Sequence, residues 1–287
     1  MKNNSFNINQ IKDKFNRHAK SYDQHAILFQ TINQQLLARL DYIKTQPQKI
    51  LVLGCATGQA CLLLAEQFKS AEIIGIDCAI EMLKLAKQKT SAKENIKFIA
   101  SWMETLPFQA EQFDLIISNS ALSWCNNLLV ALLEVQRVLK QEGLVLFSTF
   151  GPDTLKEIRQ AWSEVDHHAH VHTFLDMHDV GDRLLAAGLS DPVMDTDRFQ
   201  LQYQSIEQGL QELKALGITN ILNDRKVVAK DRFKRFERAL RSFYTPEKKL
   251  LLTFEIAYGH AWKSAKALTK ESEFYISLAL LKKELSK

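Results

Sequence analysis

Short runs of Ile, Val, Leu and Phe, separated by helix-length segments, set the fold class of this chain. The runs are ILVLG (50–54), IIGID (73–77), IKFIA (96–100), FDLIIS (113–118) and GLVLFSTF (143–150), with segments such as EMLKLAKQKT and LLVALLEVQRVLK between them. A strand that is apolar along its whole length is buried on both faces. Such strands alternating with helices build a parallel sheet with helices on both sides. Ahead of this unit, residues 8–45 read as one or two amphipathic helices. Behind it, HDVGDRLLAAGL (178–189) reads as a helix with a glycine stop, and DPVMDTDRFQLQY (191–203) alternates like a strand. Residues 205–244 return to helix, and LTFEIAYGHAW (252–262) reads as the last strand. The expected division is a helical cap over 1–45, a sheet domain over 46–204 and 250–265, and a helical insertion over 205–249 on the substrate side.

Composition narrows the class. With 287 residues, 46% of them hydrophobic, the chain can bury a sizeable core. The N-terminal MKNNSFNINQIKDKF has no apolar run. No segment approaches the roughly 18 apolar residues of a membrane span, so a cytoplasmic protein is expected. Cys55, Cys61, Cys78 and Cys125 show no CxxC spacing and read as free thiols. Residues 151–224 hold 5 Lys/Arg against 13 Asp/Glu, and residues 225–287 hold 16 against 7. A basic C-terminal region suits an acidic partner.

The corner GCATG (54–58) follows the first strand. Glycines there let a ligand approach the backbone, and the following helix offers its free N–H groups. Gly54 and Gly58 supply the turn, and Asp77 ends the next strand, where a carboxylate can accept both hydroxyls of a ribose. Together they read as a nucleoside-cofactor site; a plain strand–helix corner is the alternative. The order Gly-Cys-Ala-Thr-Gly does not fit the GxGxxG of a dinucleotide loop.

GCATG resembles instead the first motif of S-adenosylmethionine-dependent methyltransferases. ETLPFQAEQFDLIISNSALSWC (104–125) and RVLKQEGLVLFSTF (137–150) resemble that superfamily's later landmarks. FNRHAKSYDQHA (15–26), STFGPDTLKEI (148–158), HTFLDMHDVGDRLLAAGLSDPVMD (172–195) and EIAYGHAW (255–262) are similar to malonyl-acyl-carrier-protein O-methyltransferases of biotin synthesis. A related branch that assists assembly of respiratory complex I shares parts of the pattern. The resemblance implies a Rossmann-like α/β class I methyltransferase fold. Its sheet is seven-stranded and mostly parallel, with N-terminal helices and a helical insertion before the last strand. It implies S-adenosyl-L-methionine as cofactor and malonyl-loaded acyl carrier protein as partner. Gly54, Cys55, Ala56 and Gly58 then lie beside the methionine part of the donor. Asp77 takes the ribose, Cys78 and Met82 flank the adenosine, and Trp102 and Met103 line the adenine edge. Asn119 and Ser120 face the sulfonium, and Tyr22 closes over it as a possible orienter. Three positions depart from the pattern: Val52 and Trp102 each replace an Asp, and Ala56 replaces a Gly.

The implied nucleophile is a malonyl carboxylate, ionised at neutral pH, so no catalytic base is expected. A buried anion needs a cation, and arginine fits a carboxylate best. Arg225 and Arg198 are the candidates, with Trp124 and His178 beside the substrate. In KDRFKRFERALRSF, Phe233, Phe236, Leu240 and Phe243 share one helical face, and Lys230, Lys234, Arg238 and Arg241 share another. That basic face suits an acidic carrier protein, or is simply solvated. His167, His168, His170, His172, Asp176 and His178 match no zinc spacing, and no metal is expected. His178 and Asp179 are expected to cap the helix that follows. No Pro-aromatic tetrapeptide of a base-flipping enzyme is present, and no nucleic-acid partner is expected. Two other readings remain: a non-catalytic relative acting as an assembly or partner protein, and a methyltransferase for another small carboxylic acid.

Overall fold

A computed structural model describes residues 7–218 and 230–264. Its seven strands form one sheet in the order β3-β2-β1-β4-β5-β7-β6. They are β1 (Lys49–Leu53), β2 (Glu72–Asp77), β3 (Ile96–Ala100), β4 (Phe113–Asn119), β5 (Leu139–Phe150), β6 (Ser190–Tyr203) and β7 (Leu250–Trp262). β1 to β5 pair in parallel, whereas β7 runs antiparallel to both β5 and β6. The chain order reverses between β1 and β4, so the crevice at their carboxyl ends is where an open α/β sheet takes a ligand.

Alternation along the central strands explains the two cores. Ile50 and Val52 of β1 pack into one layer, with Leu36, Leu64, Leu213 and Phe236. Leu51 and Leu53 pack into the other, with Leu132, Val135, Val180 and Leu184. Successive side chains of a strand point to opposite faces, so a run with no polar residue must be covered twice. α5 (Leu128–Val138) and α7 (Met177–Ala186) cover one face. α2 (Ile27–Ala38), α3 (Gln59–Gln67) and α8 (Ile206–Ala215) help to cover the other. Local sequence starts these helices: Asn127 Oδ1 accepts from the N–H groups of Leu129 and Val130 at 3.0 and 3.4 Å, and Ser205 Oγ accepts from Gln208 N–H at 3.2 Å.

Residues 8–45 form two helices, α1 (Ile8–His25) and α2, followed by a 3-10 turn over Arg39–Tyr42. Three details differ from expectation. The strand expected to begin at Gly143 begins at Leu139, directly after α5. Leu139 is fully buried and pairs with Phe113, and this pairing outweighs another helical turn. Asp176, not His178 or Asp179, caps α7, its side chain accepting from His178 N–H at 2.9 Å. Finally, α9 (Lys230–Leu240) ends before Arg241, which starts a 3-10 turn. α9 is fastened by Phe236, which stacks on Trp162 of α6 (Lys156–Ser163) at 4.3 Å and 12°.

Candidate functional site

The carboxyl ends of β1, β2 and β4 meet in front of the loop 54–58. Gly54 has φ +62°, and a Cβ there would lie 2.3 Å from the Ala121 Cβ, so no other residue fits. Gly58 has φ +85° and starts α3 with no side-chain cap, leaving the first N–H groups of that helix for a ligand. Ala56 adopts φ +45° in spite of its Cβ. That conformation costs an L-residue about 1–2 kcal/mol.

Asp77 holds the loop in place. Its Oδ2 accepts from Ala56 N–H at 3.0 Å and its Oδ1 from Ala79 N–H at 2.8 Å. Burial raises its pKa above the ordinary carboxylate value, against the opposing pull of these backbone bonds. A carboxylate has about four lone-pair sites, so acceptor capacity is left for two hydroxyls.

Two cavities open around this loop. The first, about 620 Å³, is lined by Gly54, Ala56, Asp77, Cys78, Met82 and Trp102, with Met103, Asn119, Ser120 and Trp124 further round. Ile11, Phe15 and Tyr22 of α1 cover it. The second, about 510 Å³, is lined by Val52, Cys55, Thr57, Gln59, Asn33 and Gln30, among others. Tyr22, Phe29, Gly54, Ala56 and Asn119 line both. Gly58 lines neither and acts on the site through the turn. Burial pushes the Cys78 thiol up to about 12, and burial also lifts Tyr22 well above an ordinary phenol, with Asp77 and Asp23 adding to it. Both therefore stay neutral at physiological pH. At the end of β4, Asn119 Oδ1 accepts from Ser148 Oγ at 3.1 Å, and Asn119 Nδ2 donates to Phe29 O at 2.9 Å.

What fastens α1 across the loop is visible only in the fold. Asp23 accepts from Thr57 Oγ1 at 2.5 Å and pairs with Lys89 at the end of α4 (Ile80–Lys89). Asn16 Oδ1 accepts from Glu81 N–H at 2.9 Å at the start of α4. Both polar residues lie in the quoted FNRHAKSYDQHA block, but nothing in their spacing names their partners. Among the described residues, two buried polar atoms on the cavity walls lack a hydrogen-bond partner: Trp102 Nε1 in the first and Asn33 Oδ1 in the second.

Other expected site residues lie elsewhere. His178 is 80% exposed and bonds Asp176 at 2.6 Å. Arg198, on β6, is 63% exposed and pairs with Asp153 at 3.0 Å. Neither lines either of the two cavities around the loop. Arg225 lies outside the described residues. Lys230, Lys234 and Arg238 are exposed on α9, and Arg241 is exposed just beyond it. His170 stacks on Trp162 at 3.7 Å and bonds Asp166 at 2.9 Å. Among the described residues no group of three or more His, Cys, Asp or Glu could hold a metal ion, and no helix is long and apolar enough to cross a membrane.

Comparison with known proteins agrees with this geometry. Residues 51–147 match the family described as a methyltransferase domain. The YcgJ protein of Bacillus subtilis superposes with a TM-score of 0.60 at 19% identity, covering 81% of this chain and 99% of that one. A Haemonchus contortus phosphoethanolamine N-methyltransferase, solved with S-adenosylhomocysteine, gives 0.53 at 15% identity over 80% of this chain and 52% of its own. The fold is therefore that of class I methyltransferases. The malonyl-[acyl-carrier protein] O-methyltransferase of Gallionella capsiferriformans is 38% identical over 273 residues, covering 91% of this chain and 92% of its own. That of Legionella pneumophila is 36% identical over 259 residues, covering 90% and 91%. With such identity sustained from the N-terminal helices to the last strand, the chain belongs to the malonyl-[acyl-carrier protein] O-methyltransferase family.

Proposed function

We propose that this chain methylates the free carboxylate of malonyl-acyl carrier protein, with S-adenosylmethionine as donor, giving the methyl ester that enters biotin synthesis. The observation that carries the donor half is Asp77 at the tip of β2, beside an uncapped helix start and a cavity that continues on both sides of the loop. The orphaned Trp102 N–H and Asn33 carbonyl fit a ligand with polar groups at both ends. When bound, S-adenosylmethionine supplies an electrophilic methyl group on a positively charged sulfur.

The chain's residues have three tasks. Asp77 accepts the ribose hydroxyls, and Cys78, Met82, Trp102 and Met103 enclose the adenosine. The N–H groups at the start of α3 take the amino-acid carboxylate. Tyr22, neutral and carried by the α1 cap, orients the reacting end and excludes water. No base is needed, because a carboxylic acid that titrates near 4 is already ionised. Neither cavity is lined by Lys, Arg or His, so the rate comes from alignment and desolvation.

For the malonyl carboxylate, Arg225 is the candidate cation, and residues 205–249 form the substrate side. The basic face of α9, carrying Lys230, Lys234 and Arg238, with Arg241 next to it, docks the acidic carrier. Among the described residues, Lys230, Lys234 and Arg238 have no ion-pair partner, which leaves their charge for a partner protein.

The test is methyl transfer to malonyl-loaded, acetyl-loaded and unloaded carrier, followed by mass spectrometry. One added methyl group on the malonyl form alone is expected. Transfer to acetyl carrier, or tight S-adenosylmethionine binding with no transfer to malonyl carrier or malonyl-coenzyme A, would overturn the substrate assignment.

A further inference from the structure

Resting on the donor reading above, we infer that Asn33 recognises the α-ammonium of S-adenosylmethionine, a role that no side chain of β1 fills. The amino-acid end of the donor is a zwitterion. Its carboxylate has the start of α3. Its ammonium carries three N–H donors and needs acceptors, and burying it without one is costly. At the end of β1 the wall of the second cavity is Val52, 1% exposed and apolar. No side chain on that strand can accept.

Several other acceptors around the second cavity already have partners. Asp23 is held by Thr57 Oγ1 and Lys89. Asn119 Oδ1 accepts from both Ser120 Oγ and Ser148 Oγ, at 3.2 and 3.1 Å. Asp77 is taken by two backbone amides and by the ribose. Asn33, on α2, is 3% exposed, lines the same cavity, and its Oδ1 has no hydrogen-bond partner. Of the polar side-chain atoms left buried and unpaired among the described residues, it is the one acceptor on a wall of the second cavity.

A buried, unsatisfied carbonyl costs stability for as long as the site is empty of a donor group, so its place on a cavity wall points to a ligand. α2 is otherwise apolar on this side: Phe29, Ile32 and Leu36 pack into the core. Gln30 is a polar neighbour on the same wall, but its Nε2 is committed to Asp23 O at 3.3 Å, which draws its amide toward α1.

The experiment is calorimetric titration of the full-length protein with S-adenosylhomocysteine and with its deaminated analogue, in wild type, Asn33→Leu and Asn33→Asp. Leucine keeps the volume and removes the acceptor. Hydrogen bonds to charged groups predict a loss of roughly ten- to a hundredfold for S-adenosylhomocysteine in Asn33→Leu. The deaminated analogue should bind wild type and Asn33→Leu equally, within about twofold. Asn33→Asp should bind S-adenosylhomocysteine at least as tightly as wild type. The melting temperature of ligand-free Asn33→Leu should be unchanged or higher, because an unpaired buried acceptor has gone. In the Asn33→Leu background, Val52→Asp should restore part of the lost affinity. Equal loss for both ligands, or no loss for S-adenosylhomocysteine, overturns the assignment of Asn33 and leaves the donor reading standing. Failure of wild type to bind S-adenosylhomocysteine overturns both.

Discussion

Replacing Ala56 with glycine isolates the strain in the cofactor loop. Ala56 sits at φ +45°, between two glycines that already have positive φ, and its N–H is held by Asp77. The left-handed conformation costs an alanine about 1–2 kcal/mol. Glycine removes that cost but gains freedom in the unfolded chain, which takes back about 0.4–1 kcal/mol. The net expectation is a gain of about 0.5–1 kcal/mol. For a chain of this size 1 kcal/mol moves the melting temperature by about 2–4 °C, so a rise of roughly 1–4 °C is expected. Because the Ala56 side chain lines both cavities, affinity for S-adenosylhomocysteine should hold or rise in the same variant. Thermal unfolding and calorimetry of the two proteins side by side give the answer. A lower melting temperature for Ala56→Gly would refute the strain reasoning. It would mean that the Ala56 methyl group contributes more by packing than its backbone conformation costs.

Three other perturbations test separate features of the molecule. Asp77→Asn should weaken S-adenosylhomocysteine binding at least tenfold, through loss of a charged acceptor. Because the Asp77 pKa is raised, wild-type affinity should fall on acidification at a pH above the ordinary carboxylate value of about 3.9. A pH-independent affinity through that range would contradict it. Reversing charge at Lys234 and Arg238 should raise the Michaelis constant for carrier-bound substrate, more at low salt, and leave donor affinity alone. An unchanged constant sinks the docking assignment. His172 is pushed down to about 4 by burial first and by Arg159 second. Its neutral form is favoured in the fold, so its contribution is present above pH 6.5 and lost as pH falls from 6.5 to 4; His172→Gln should flatten the stability profile in that window.

The sheet was legible because its inner strands are mostly apolar, and Ile50 to Leu53 can be satisfied only by layers on both faces. The α5–β5 boundary was not legible, because Leu139 is apolar and suits a helix end and a strand start equally. The turn at the head of the crevice could be read from Gly54, Gly58 and Asp77, whose conformations and bonds are local to the backbone. Its other walls were harder. Asn33 sits in LFQTINQQLLA among other polar residues, and only the packing of α2 shows that it is buried while Gln34 is exposed. For Arg198 the alternation of β6 located the strand but not the neighbour: the pairing with Asp153 comes only from the fold.

The ties between α1 and the loop have a kinetic consequence. Thr57, Lys89 and the Glu81 amide all hold α1 down. The same helix carries Ile11, Phe15 and Tyr22 across the cavity mouth. With α1 across the mouth, exchange of spent for fresh donor is expected to require α1 to lift. Donor residence time is then set by the strength of a few polar contacts that fasten α1. Stopped-flow release of S-adenosylhomocysteine should be several-fold faster in Asp23→Ala, with single-turnover methyl transfer little changed; equal release rates would mean that the nucleoside leaves by another route.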